Sequence, residues 1–156
     1  MKWTELRDQS CPVARALSVV GDRWTLLILR DCYFGIRRFD HFQERLGITR
    51  HVLSDRLKSL EASGILRREP YQQRPLRHEY RLTEAGKAFY PAFVAIVDWT
   101  EAHVPPKDGT SVRLLSKTSG EPIRPEVVDA NTGEPITLTS VRGITPSMPE
   151  WDAKRG

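Results

Sequence analysis

Cysteine is nearly missing from this chain. Cys11 and Cys32 are the two in 156 residues, too few to staple a domain and without the C-x-x-C spacing of a metal or dithiol site. A reducing, cytoplasmic setting is the natural expectation. Long apolar runs are missing as well: none approaches the roughly 20 residues that span a bilayer, and the opening MKWTELRDQS holds no hydrophobic segment of the signal-peptide kind. No membrane partner is expected. There is no glycine-rich phosphate loop, no G-x-S-x-G, no H-E-x-x-H, and no carboxylate pair set in a convincing site. His41 and Glu44 sit three residues apart with nothing near to complete a metal triad. These absences argue against catalysis, a cofactor and a resident metal.

What the chain does have is positive charge, unevenly spread. Up to Val104 there are 17 Lys+Arg against 13 Asp+Glu, whereas the remaining 52 residues carry 7 against 7. Between Arg37 and Lys87 the balance is 12 against 7, a surplus suited to a partner bearing phosphates. A solvated surface is the ordinary meaning of such a stretch, so charge alone does not decide. The length allows one domain with a real core and an appendage with little core of its own.

Pattern decides more. Ser10-Cys11-Pro12 reads as a helix start, with Ser10 as N-cap and proline in the first turn, where its missing N–H costs nothing. Gly21 ends that helix, and Asp22 caps a second from Arg23 to about Phe34, whose Trp24, Leu27, Ile28 and Cys32 are expected in the core. A short helix over Phe39 to Leu46 turns at Gly47-Ile48-Thr49 into another, Thr49 to Ser63, where Leu53, Leu57 and Leu60 form one apolar stripe. Gly64 closes it. Two extended runs follow, Ile65 to Tyr71 and Leu76 to Leu82, around a polar tip of Gln72-Gln73-Arg74-Pro75. The fold class is therefore mainly α with a small β-wing: a winged helix-turn-helix DNA-binding domain, with a small C-terminal β-ribbon extension.

The site residues follow from that reading. Arg50, His51, Ser54, Asp55 and Lys58 lie opposite the leucine stripe, and of the residues there and at the helix start Thr49, Arg50, His51, Ser54 and Lys58 are expected to meet base edges or phosphates of double-stranded DNA. Arg56, on the flank, suits a backbone phosphate, an acidic neighbour or a base. Arg74 at the wing tip suits an A·T-rich minor groove or a phosphate. Arg77 belongs to the same cationic wing, and Arg37 and Arg38 ahead of the short helix read as phosphate clamps. The rival reading is a winged helix that serves as a protein–protein adaptor, its charged helix facing an acidic partner.

After the wing, Thr83 caps a long amphipathic helix from Glu84 to about His103 that Pro91 should kink or divide. Its Phe89, Phe93, Ile96, Val97 and Trp99 are expected to form a homodimer interface, and a small-molecule effector remains open. Pro105-Pro106 ends the domain, giving residues 1–106 for it, 107–143 for the extension and 144–156 for a Pro-rich tail whose composition suits disorder. In the extension, Ser119-Gly120-Glu121-Pro122-Ile123 is echoed 13 residues later by Thr132-Gly133-Glu134-Pro135-Ile136. Short strands are expected at 112–115, 127–128 and 136–141.

Taken together and in order, these motifs carry a family resemblance. Cys11-Pro12, Gly21-Asp22-Arg23-Trp24-Thr25, Gly35-Ile36-Arg37-Arg38-Phe39, Val52-Leu53-Ser54-Asp55-Arg56-Leu57, Gly64-Ile65-Leu66, Glu79-Tyr80-Arg81-Leu82-Thr83-Glu84-Ala85-Gly86 and Trp99 resemble the HxlR-type winged-helix regulators, relatives of the MarR group. The resemblance covers residues 10 to about 104. It implies a bacterial or archaeal homodimeric regulator that binds an inverted-repeat operator and has no catalytic activity. It also implies two readings of Cys11, which stands at a helix start: a thiol that senses oxidants or electrophiles, or an inert cysteine. Longer members carry a C-terminal ribbon with Cys and His before its glycines, suited to zinc. Here Ser119 and Thr132 stand in those places, with Ser116 and Asn131 nearby, so a metal-free ribbon is expected.

Overall fold

A computed structural model describes residues 3–109 and 112–143; the expected Pro-rich tail lies outside them. A short 3-10 turn, Trp3–Asp8, leads into α1 (Pro12–Val20), α2 (Arg23–Tyr33), α3 (Phe39–Leu46), α4 (Arg50–Ala62), β1 (Leu66–Gln73), β2 (Leu76–Leu82), α5 (Glu84–Ala88) and α6 (Tyr90–His103). The order is that of a winged helix-turn-helix. The chain divides into two compact units, Met1–Phe93 and Val94–Gly156, a division inside α6 and ahead of the expected boundary at Pro106.

The helix boundaries have local causes. Asp22 accepts from Trp24 N at 2.9 Å at the start of α2, Thr49 from Val52 N at 3.3 Å at the start of α4, and Thr83 from Gly86 N at 3.2 Å at the start of α5. Each satisfies an N–H that the helix itself cannot. The start of α1 differs from expectation: Cys11, not Ser10, is its N-cap, and it makes no side-chain capping bond. Gly47 and Gly64, at φ 62° and 71°, supply the left-handed residues after α3 and α4 that a β-carbon would disfavour. Pro91 divides the last helix into α5 and α6, because it clashes with the preceding turn and offers no N–H.

One core joins these pieces. Leu53, Leu57 and Leu60 of α4 meet Ile28, Leu29 and Cys32 of α2, Phe42 of α3, Ile48 and Leu66. Burying each of the leucines contributes about 1.5–3 kcal/mol. Ile28 and Cys32 lie where expected, whereas Trp24 and Leu27 are half-buried and Leu29 takes the fully buried place.

A charge also lies inside. Asp31 of α2 is fully buried, with Arg30 at 2.9 Å and Arg45 of α3 at 3.4 Å. A carboxylate out of water survives only with such partners, so the pair with Arg45 fixes α3 against α2. Arg56 of α4 reaches Asp22 at 3.4 Å and ties α4 to the same helix.

The wing is an antiparallel hairpin in register Leu66↔Leu82 and Arg68↔Tyr80, interrupted between Pro70 and Gln72. Proline has no N–H for the ladder and suits such a bulge; Tyr71 is the residue left over. The loop before α3 joins the hairpin, since Tyr80 N donates to Arg37 O at 2.8 Å and Arg38 bridges Glu79. Gly86 is buried, and a β-carbon there would press into Ile65 O and stand 3.0 Å from Leu82 Cδ2.

In the second unit the 13-residue echo is also a structural one. Ser116 N donates to Glu121 O and Asp129 N to Glu134 O, both at 2.9 Å, and Gly120 and Gly133 take φ of 75° and 76°. The expected strands do not form. Single bridges, Leu115 to Pro122 and Val128 to Pro135, stand in their place, because a proline at each pairing position removes the donor that would extend the ladder.

Candidate nucleic-acid interface

The site is built on the exposed side of α4. The leucine stripe fixes how the helix rolls against the core, so Arg50, His51 and Lys58 are exposed and Ser54 is half-buried. Thr49 is exposed too, with its hydroxyl engaged as the helix cap. Arg50 is held in place by Asp40 at 3.4 Å, Gln43 at 3.2 Å and the Phe39 ring at 4.8 Å. Its pair with Asp40 is exposed on both sides and contributes little, so a phosphate or a guanine edge can take the aspartate's place. His51 lies 3.3 Å from Asp55 on the next turn. Arg56 differs from the rest of this group: its contact is Asp22, inside the fold, the acidic-neighbour reading of the sequence.

Beside the N-terminus of α4 the wing forms a cationic cleft of about 250 Å³, where Arg38, Arg50, Arg68 and Arg77 surround Tyr71 and Tyr80. The Arg38 guanidinium lies 4.5 Å over the Tyr71 ring, an arrangement in which the ring's negative face steadies the cation without neutralising it. Among the described residues, Arg38, Lys58, Arg74 and Arg77 have no ion-pair partner. Unpaired cations are the ones that phosphates can recruit without first breaking a bond.

Arg37 and Arg38 part company. They are adjacent on an extended segment, so their side chains leave on opposite sides. Arg38 enters the cleft beside α4, while Arg37 lines a separate polar cavity with Arg67 and Arg81 that no residue of α4 touches.

Sequence reasoning missed Tyr71 as the seat of Arg38, Arg68 as a lining residue, and Asp31 as the anchor of α3. A signal existed for Tyr71, because Pro70 within a strand run marks a bulge. Of the expected dimer residues, Phe93 is 9% exposed and packs with Tyr33 at 5.2 Å, and Phe89 packs partly against the core. Ile96 and Trp99 are 45% and 59% exposed, and Val97 is half-buried.

Cys11 is exposed and Cys32 buried. Burial, with a smaller contribution from the charge of Asp31, pushes the Cys32 thiol up to about 12, so it stays protonated and unreactive at neutral pH. In the second unit, Ser116 Oγ accepts from Thr118 N and Ser119 N at 3.2 Å, and Thr132 Oγ1 from Glu134 N at 3.2 Å. These oxygens are committed to backbone N–H groups and lack the thiolate or imidazole character zinc favours. The donor set does not fit that metal.

Comparison with known proteins agrees with this fold. Residues 19–108 match the HxlR-like helix-turn-helix family. The chain belongs to that family. An HTH-type transcriptional regulator of Mycobacterium tuberculosis (strain ATCC 25618 / H37Rv) is 45% identical over 91% of this chain and 89% of its own length. The crystal structure of PA1607, described as a transcription factor, superposes with a TM-score of 0.80 at 37% identity, over 88% of this chain and 96% of that one. The redox regulator HypR in its reduced form gives 0.56 at 35% identity, over 59% and 92%. This HxlR-like protein is thus a DNA-binding regulator of transcription of the helix-turn-helix type, from a family of regulators and not of enzymes. No helix among the described residues is long and apolar enough to cross a membrane.

Proposed function

We propose that this HxlR-like regulator binds an inverted-repeat operator as a homodimer and reads its sequence through Thr49, Arg50, His51, Ser54 and Lys58. Arg38, Arg74 and Arg77 serve as phosphate or minor-groove contacts. The observation that carries the reading is the cationic cleft beside the start of α4, where the unpaired Arg38 and Arg77 stand with Arg50 and Arg68, on a helix whose Lys58 is also exposed. Each chain offers one such helix, and two related by a two-fold axis reach successive major grooves about 10 base pairs apart. The second copy is the natural cover for the exposed Ile96 and Trp99, since apolar surface of this kind marks an interaction site.

The test is a gel shift with randomised duplexes, followed by selection. An enriched palindrome bound at two chains per duplex is the expected result. Equal affinity for every duplex points instead to a protein–protein adaptor, and full affinity in an Arg50→Ala/Lys58→Ala variant removes α4 from recognition. Each lost base contact should cost about 1–3 kcal/mol of discrimination.

A thiol signal through Cys11 fits the same reading. Cys11 is exposed at the start of α1, and a similar protein is a redox regulator. Oxidant should change operator binding in the wild type and leave a Cys11→Ser variant unaffected.

A further inference from the structure

Behind the wing lies a polar cavity of about 300 Å³, walled by Arg37, Arg67, Arg81 and Lys87 over a floor that includes Cys32 and Leu82. The four cations come from four elements: the loop before α3, β1, β2 and α5. No acidic residue lines the cavity. Glu69, Glu79 and Glu84 pair with the cations without lining the cavity, and Glu69, whose carboxyl Arg67, with Arg81 and Arg37, holds below its usual range, is a counter-charge shared by the three guanidiniums. Arg81 lies 2.9 Å from Glu69 and also pairs with Glu79, Arg67 pairs with Glu69, and Lys87 lies 2.6 Å from Glu84. Arg37 has no ion-pair partner among the described residues.

We propose that this cavity is a binding site for a small organic polyanion, a di- or tricarboxylate or a phosphorylated metabolite of similar size. Guanidinium groups present planar forks that donate to two oxygens at once, and here three of them and an ammonium surround one space. The Arg67–Glu69 and Lys87–Glu84 pairs are partly exposed, so exchanging those glutamates for ligand oxygens sacrifices little, while the more buried Glu79 stays with Arg81. The floor adds no competing negative charge, because Cys32 is buried and its thiol is protonated. No α4 residue lines the cavity, so a duplex seated on α4 engages none of its walls through that helix. An occupied site would link both wing strands to α5 and to the loop before α3. The inference goes beyond the operator reading and does not depend on it.

The experiment titrates the full chain with citrate, and separately with inorganic phosphate, by calorimetry at constant ionic strength set with chloride. One saturable site per chain for citrate is expected, with phosphate weaker. An Arg37→Gln/Lys87→Gln variant should lose affinity about tenfold or more for each charge-assisted bond removed. If that variant fails to fold, Arg37→Gln alone carries the test, because Arg37 anchors no ion pair. Protein saturated with duplex should bind citrate as well as free protein does. The proposal is overturned by an absence of saturation, by unchanged affinity in the variants, or by displacement of citrate by duplex, which would assign the anion to the DNA-facing cleft.

Discussion

Replacing Arg77 with Gln removes one of the four cations proposed to meet DNA that have no ion-pair partner among the described residues, the others being Arg38, Lys58 and Arg74. If each neutralises one phosphate in both protomers of a dimer, about eight counterions leave the duplex on binding, and log K falls against log salt with a slope of about −7. The variant releases about two fewer, so its slope flattens by about 2 units. Wild-type and variant curves must therefore converge. Between 50 and 200 mM salt the variant's affinity deficit should shrink about tenfold. Fluorescence anisotropy with a labelled duplex measures this directly, and Arg113→Gln in the second unit serves as a control whose slope stays that of the wild type. Parallel lines for Arg77→Gln would refute the reasoning even if affinity fell, because a uniform loss means damage to the fold and not a lost phosphate contact.

Three further outcomes follow from the geometry. Gly86→Ala should destabilise by about 1–3 kcal/mol, lowering the thermal midpoint by roughly 4–8 °C per kcal/mol, because the new β-carbon meets the rigid backbone oxygen of Ile65; an unchanged midpoint contradicts the tight junction of wing and α5. Tyr71→Ala should weaken duplex binding while Tyr71→Phe preserves it, since Arg38 rests on the ring face and not on the hydroxyl; equal loss in both variants would assign the effect to the phenol. A brief thiol probe at pH 8 should label Cys11 and spare Cys32, whose thiol is held near 12. Cys32 should become reactive only in denaturant, where the thiol returns to the ordinary range of about 8.5; equal labelling of the native protein counts against the burial argument.

Which features were legible in the sequence depends on how far apart in the chain their causes lie. The helix start at Thr49, the stripe of Leu53, Leu57 and Leu60, and the closing Gly64 lie within one helix and its flanks, and periodicity reads them together. The wing was legible as two runs, but its register was not, since Pro70 breaks the pairing and turns Tyr71 toward Arg38, more than thirty residues earlier. Asp31 looked like any charge on a helix because its partner Arg45 arrives from α3. The separation of Arg37 from Arg38 depends on Tyr80 pairing with the loop before α3, a long-range bond that no local pattern records. In the extension the echo announced two equal turns but not how little strand would surround them, because Pro122 and Pro135 sit at the positions that would pair. The same principle separates the two cationic sites. Composition registers one basic surplus between Arg37 and Lys87, while the hairpin divides it into a cleft beside α4 and a cavity behind the wing. A count of charges cannot tell one cluster from two; the pairing of Arg37 and Arg38 with β2 does.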